Sequence, residues 1–287
     1  MKTRIIFFLL LAALSCSRTA LQPLDEIALA PVYPAASKVS DNGFEQGDMI
    51  GVFITRYESD VPSVLQIGGN WGNNLSLICQ GASWVLLPRV WWADGKFDIY
   101  AYYPKSDVTS IEDHKFSVST DQSFPSGPES EDLYAASDFL WAKAEGISQT
   151  ETVPLYFRHK MSKVEVFLHK GEEYEGDIPV DAQVFIHSTV TAAIINLSTG
   201  DVVRDQTAGA QSIKARKLSA THFDAIVVPQ RISGRLPIVE IVAGQVSYLF
   251  ETSILFKSGM THAIHITLND NPDKTAIDIG GQIDNWN

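Results

Sequence analysis

The side chains able to do chemistry in this sequence are few and scattered. His262 and His265 stand three residues apart, a spacing that invites a metal reading. Their surroundings, His262 to Leu268, have the pattern of a strand. There, residues three apart point to opposite faces, so the two imidazoles do not share an ion. His159 has no carboxylate beside it in sequence and reads as a structural histidine. Asp41, Asn42 and Gly43, followed by Glu45 to Asp48, lack the EF-hand spacing and read as a solvated turn. The acidic pairs Glu172–Glu173 and Glu131–Asp132 lie in polar loops. Glycosidase acids must flank a sugar at a set separation, which chain spacing does not test. Gly68, Gly69 and Gly72 make a turn with no helix behind it to cradle phosphate. The sequence contains no Gly-x-Ser-x-Gly elbow, His-Glu-x-x-His, Walker loop or Gly-x-Gly-x-x-Gly. The expectation is no catalytic residue, no metal site, no cofactor and no enzymatic activity.

The two cysteines differ. Cys79 lies in the apolar stretch Leu75 to Cys79 and reads as a small buried hydrophobe. Cys16 follows Lys2, Arg4, an apolar run from Ile5 to Leu14, and Ser15. That run is half the length of about 20 residues needed to cross a bilayer, so it reads as the core of a signal peptide over residues 1–15. A small residue before a Cys at this place resembles a bacterial lipobox. Cys16 is then the lipidated first residue of the mature chain, and 16–24 a lipidated tether to a membrane. Stable anchoring takes more than one acyl chain. With Cys16 acylated, Cys79 has no disulfide partner.

The remaining chain is long enough for two domains, and 45% of its residues are hydrophobic, so core size is no obstacle. A net charge of −12 without a basic stripe excludes a nucleic-acid partner. Short runs rich in Val, Ile, Tyr and Phe recur between turns: Met49–Thr55, Phe97–Tyr103, Lys163–Leu168, Val180–His187, Val190–Leu197, Phe223–Val228, Leu236–Ala243, Val246–Leu255 and His262–Leu268. Strands without intervening helical patterns predict an all-β sandwich fold. Glu131–Glu145 fits neither period well and stays open between helix and strand. Polar stretches at 121–132 and 146–152 are loops. The second is the expected division between an N-terminal β-sandwich domain, 25–150, and a C-terminal one, 151–287. Trp84, Trp91, Trp92, Tyr100, Tyr102 and Tyr103 cluster in the first half. Most are expected in the core, with one of Trp91 and Trp92 outside, since adjacent strand residues face opposite ways.

Several segments in order resemble a known family. Phe44–Phe53 resembles the opening strand of the fimbrillin-like proteins of Bacteroidetes. Val90–Pro104, Ser137–Ala142, Leu155–Val164 and Ile283–Trp286 are similar to the segments that follow it. The resemblance implies two tandem transthyretin-like β-sandwich domains and export as a lipoprotein to the outer-membrane surface. It implies a structural subunit of a fimbria (a pilus) serving cell adhesion, towards a host protein or glycan. A protease then cuts after a basic residue and removes the first strand. The vacated groove takes a strand from a neighbouring subunit by β-augmentation. On this sequence the strand to be displaced is Asp25–Val32, with Ile27 and Leu29 facing inward. The candidate processing site is Lys38, where the family more usually has Arg. The incoming strand is expected from the region Ala276 to Trp286 of another subunit. The alternative is a monomeric surface lipoprotein that binds glycans through exposed aromatic residues. An exported hydrolase ranks last, lacking every motif sought above.

Overall fold

A computed structural model of the chain describes residues 25–34, 43–123, 132–244, 246–269, 276–278 and 283–286. In chain order the first strands are β1 (Leu29–Val32), β2 (Met49–Arg56), β3 (Gly72–Cys79), β4 (Trp84–Leu87), β5 (Phe97–Tyr103), β6 (His114–Ser117), β7 (Leu140–Ile147), β8 (Val153–Tyr156) and β9 (Arg158–His159). There follow β10 (Ser162–Lys170), β11 (Gln183–Val190), β12 (Ala192–Asn196), β13 (Asp201–Arg204), β14 (Ala210–Lys214), β15 (Arg216–Lys217) and β16 (His222–Val227). The last are β17 (Gln230–Ala243), β18 (Val246–Phe256), β19 (Met260–Leu268), β20 (Ala276–Asp278) and β21 (Ile283–Asn285). Every strand expected from the sequence pattern is present, with its ends shifted by a few residues. Glu131–Glu145 holds one 3-10 turn, Ala135–Ser137, and then enters β7. The protein is all-β, built of several packed sheets.

The first sheet has the order β4-β3-β2-β5-β7-β9. Its central strand β2 is buried on both faces. Ile50, Val52 and Ile54 enter one hydrophobic cluster with Leu77, Trp92, Phe97 and Leu140. Phe53 points the other way, into a second cluster with Tyr100, Tyr102 and Phe139. A strand covered on both sides needs a continuous apolar run, and Met49–Thr55 is one. Gly51 breaks that run because it sits opposite Tyr102 of β5. A Cβ at residue 51 would lie 2.2 Å from the Tyr102 ring, so only glycine lets the ring cross the strand there. The Tyr102 hydroxyl lies 2.8 Å from both Asn74 Oδ1 and the Ser106 carbonyl, which ties the ring in place.

Two further sheets, β15-β16-β10-β19-β20 and β14-β11-β17-β18, share the second cluster. β21 also pairs with β19. Val164, Val166, Leu168, Ile264 and Ile266 contribute from one sheet, and Val184, Ile186, Val239 and Ile241 from the other. Alternation of this kind is what two sheets packed face to face require. The chain halves also interlock. β6, from between β5 and β7, pairs with β12, and β8 and β9 pair with β1 and β7.

Gly51→Ala is expected to destabilise the protein by about 1–3 kcal/mol through overpacking against Tyr102. Urea unfolding followed by circular dichroism measures this, and an unchanged midpoint contradicts the packing described.

Candidate functional site

β1 lies in a slot between two other segments. On one side it runs parallel to β8, with Leu29 beside Val153 and Val32 beside Tyr156. The Val153 N–H donates to the Ala28 carbonyl at 2.9 Å and the Phe157 N–H to the Val32 carbonyl at 3.0 Å. On the other side, Glu26 and Trp91 form an antiparallel bridge. There the Ile27 N–H donates to the Val90 carbonyl at 2.8 Å and the Trp92 N–H to the Asp25 carbonyl at 2.9 Å. Pro31, which has no N–H, falls between Ala30 and Val32 in register with Leu155. The bonds to β8 run through the even-numbered residues, so a proline there breaks none of them. Ile27 and Leu29 are only 1% and 6% exposed. They complete the first cluster together with Trp92, Val153, Leu155 and Phe157. Arg89 and Glu26 pair at 3.4 Å across the exposed rim, a contact worth little in water.

Tyr33 follows β1, and Phe44 stands shortly before β2. These two rings meet edge to face at 5.1 Å. Phe44 also packs edge-on against Trp84, Phe157 and Tyr103. The Tyr103 hydroxyl donates to Asp48 at 3.0 Å. Burial first, and the adjacent Asp48 carboxylate second, push that hydroxyl above its ordinary pKa. Lys38 belongs to the segment between these two rings and lies outside the described residues, as does Cys16.

The C-terminal segment closes on the same place. β20 and β21 both pair antiparallel with β19. The Trp286 N–H donates to the Gly259 carbonyl at 2.9 Å, and the indole is 2% exposed. It stacks on His159 with centroids 3.9 Å apart and planes 5° from parallel. His159 meets Tyr33 edge-on at 5.8 Å and bonds through Nδ1 to Asp138 Oδ2 at 2.8 Å. One buried histidine therefore touches both the end of β1 and the end of the C-terminal segment. The sequence showed no carboxylate near His159. Asp138 stands 21 residues away and arrives through the β7–β9 pairing. Around these rings lies a cavity of about 560 Å³ lined by Tyr33, Phe44, Tyr103, Asp138, Arg216 and Trp286. Lys105 and Arg216 both line it, and the Arg216 guanidinium is already matched: it binds Asp224 through two hydrogen bonds of 2.9 and 2.7 Å.

The other residues weighed in the sequence fall as follows. Cys79 is buried and its thiol donates to the Gly81 carbonyl at 3.6 Å. Trp92 is fully buried while Trp91 is 48% exposed. Trp91 shares its surface with Trp71, whose Nε1 donates to the Trp91 carbonyl at 3.1 Å. His262 and His265 do face opposite ways. His262 is buried against Phe256, whereas His265 lies beside His169 on the outer face of its sheet.

A family model described as fimbrillin-like matches residues 37–286. The fold is similar to that of a cell-adhesion candidate from Bacteroides ovatus, with a TM-score of 0.70 at 17% identity over 92% of this chain and 99% of that one. It is similar to a fimbrial protein from Bacteroides vulgatus, with a TM-score of 0.55 at 14% identity over 91% of this chain and 99% of that one. The tip fimbrial protein Mfa3 from Porphyromonas gingivalis gives a TM-score of 0.50 at 9% identity, over 84% of this chain and 95% of that one. At these identities the likeness is one of fold. A comparison with curated proteins finds no match.

β19, which carries the C-terminal segment, holds a buried histidine. His262, in register with Ile283 of β21, accepts a hydrogen bond at Nε2 from the Lys257 N–H at 3.0 Å. Burial, and then the Lys257 charge, lower its pKa from 6.5 to about 4. The unfolded chain binds this proton at about 6.5, so stability falls as pH drops from there towards 4. Urea unfolding at pH 7 and pH 5 should show a smaller loss in His262→Gln than in the natural chain. An equal loss in both contradicts this assignment.

Proposed function

Since this chain belongs to the fimbrillin-like family, we propose that it is a structural subunit of a surface fimbria that assembles by strand exchange and serves adhesion. The observation that carries the reading is the seat of β1. A short segment at the chain's N-terminal side supplies both edges of a slot with hydrogen bonds and fills it with Ile27 and Leu29. Its loss leaves the Val153, Phe157 and Trp92 N–H groups and the Val90 carbonyl without those partners. Each buried, unpaired group costs about 1–3 kcal/mol, and an apolar trough opens beside them. Such an edge recruits another strand, and in a subunit that becomes the means of assembly.

Lys38 suits the release step. Tyr33 and Phe44 close on each other at 5.1 Å on either side of its segment, so a cut between them frees β1 while Phe44 keeps its other ring contacts. The donor is the segment Ala276 to Trp286 of a neighbouring subunit. Ile277 and Ile279 repeat the spacing of Ile27 and Leu29. In the isolated subunit β20 and β21 rest on their own β19. They must leave it to act in trans. Until that cut, Cys16 carries the lipid that tethers the subunit to the outer membrane. The two sandwich domains divide the mature chain, and the partners are other fimbrial subunits and a host protein or glycan. The reading contains no catalytic step.

A second reading has one observation in its favour. Trp71 and Trp91 are both exposed and joined by a hydrogen bond, and Arg56 lies 5.5 Å over the Trp71 ring. Aromatic faces beside polar groups suit sugars, and the reading is a monomeric glycan-binding lipoprotein.

One preparation separates the two. The protein is treated briefly with a Lys-specific protease, mapped by mass, and viewed by electron microscopy. The natural chain is expected to lose its N-terminal strand after a cut at Lys38 and to grow filaments, while Lys38→Ala stays uncut there and monomeric. Filaments from Lys38→Ala overturn the processing site. Cut protein that stays monomeric, yet is retained on a glycan array until Trp91 is replaced by Ala, carries the second reading.

A further inference from the structure

β18 stands at the end of its sheet, in the order β14-β11-β17-β18. Among the described residues β17 is its only strand partner, so its other edge presents a row of main-chain N–H and C=O groups. The opposite end of the same sheet is covered. There the Lys214 N–H of β14 donates to the Thr120 carbonyl at 2.8 Å, and the Gln122 N–H to the Lys214 carbonyl at 2.9 Å. The other strands at sheet ends have five residues or fewer, whereas β18 has 11. Edges of this length are normally blunted by Lys, Pro or a bulge. β18 contains no Lys, Arg, Pro or Gly, and Glu251 is its one charge. Both irregularities of the β17–β18 pairing put their extra residues on β17.

The sequence of β18 is close to its own mirror image. On either side of Thr252 stand Glu251 and Ser253, then Phe250 and Ile254, Leu249 and Leu255, and Tyr248 and Phe256. Tyr248, Phe250, Ile254 and Phe256 are buried on the core face, while Leu249 and Leu255 are 53% and 37% exposed on the outer face. Two copies laid antiparallel, with Thr252 on the two-fold axis, join these same pairs across the seam. Aromatic and aliphatic residues then meet on the core face, leucines on the outer face, and Thr252 meets itself, all kinds of pair that stabilise antiparallel strands. Centring on Glu251 would set like charges opposite each other, which destabilises. Centred on Thr252, each Glu251 faces a serine. This register also joins odd-numbered residues to odd and even to even. Whichever set turns its N–H and C=O outward therefore meets its own kind. Arg231 stands beside Leu255 on β17, which brings it two strands from Glu251 of the second copy. Among the described residues neither of these charges is in an ion pair within the chain.

We propose that β18 is a self-association edge: two copies of this chain pair antiparallel through residues 248–256 about Thr252, so that one sheet runs across both. The contact is isologous and closes at two copies, unlike head-to-tail strand exchange, which continues. It uses neither β1 nor β20 and β21, and it needs no cut at Lys38. In a fimbria it joins neighbouring filaments side by side. A seam of one strand pair is small, so the dimer is weak. It forms in concentrated solution and parts at the dilution of a microscope grid.

The test is sedimentation velocity of the uncut, lipid-free protein over a range of concentrations, repeated on Leu249→Lys, Leu255→Glu and the double variant. A reversible monomer–dimer equilibrium is expected for the natural chain. Each single change acts twice in a two-fold seam, so it should raise the dissociation constant by about tenfold or more. In the double variant the new lysine of one copy faces the new glutamate of the other, and the dimer should return. Both positions are exposed, and circular dichroism checks that each variant is folded. A natural chain that stays monomeric throughout, single variants that dimerise as tightly as it does, or a double variant no tighter than the singles overturns the proposal.

Discussion

The seat of β1 constrains the rest of the first half. Ile27 and Leu29 are not an added cover; they share a cluster with Ile50, Val52 and Ile54 of the central strand and with Trp92 and Phe97 beside it. Burial of each such side chain contributes about 1.5–3 kcal/mol. The main-chain bonds on both edges fix where the strand lies. A segment so placed can be exchanged for another of like pattern but not simply lost, because an empty slot exposes both apolar surface and unpaired amides. Strand exchange, as proposed for this family member, follows from that asymmetry: the groove demands a strand but reads only its alternation.

The two ends of the chain meet at one ring. His159 carries Trp286 on its face and Tyr33 against it edge-on, and its bond to Asp138 sets the ring's orientation. In the proposed assembly Tyr33 leaves with β1, while Trp286 leaves with the donor segment. Each departure strips one contact from the same histidine. Aromatic pairs of this kind are worth about 0.5–1.5 kcal/mol each beyond the area they bury. The loss of one end therefore leaves the other with a less complete seat.

What was legible in the sequence was local. Strand β10 announces itself because it buries one face and repeats at period two, whereas β5, buried on both faces, reads as a run of aromatic and apolar residues. The same period put one of Trp91 and Trp92 outside without saying which, and it separated His262 from His265; burial of Trp92 comes from the structure. The inward side chains of the first strand could be named for that reason too. Its partners could not: β1 joins β8 in parallel across more than a hundred residues of chain, and nothing local encodes that pairing. Asp138 beside His159 and His169 beside His265, 21 and 96 residues apart, were hidden in the same way. The Glu131–Glu145 stretch stayed open for a different reason. It contains a short 3-10 turn and then a strand, so no single period runs through it.

The account turns on whether the slot of β1 is the site of assembly, and a synthetic peptide of residues 25–34 tests this directly. Added in excess to freshly cut protein, the peptide should refill the slot and stop filament growth, and a version with Ile27 and Leu29 both replaced by Asp should not. Growth that proceeds unchanged in the presence of the natural peptide, while that peptide is bound, would contradict the account.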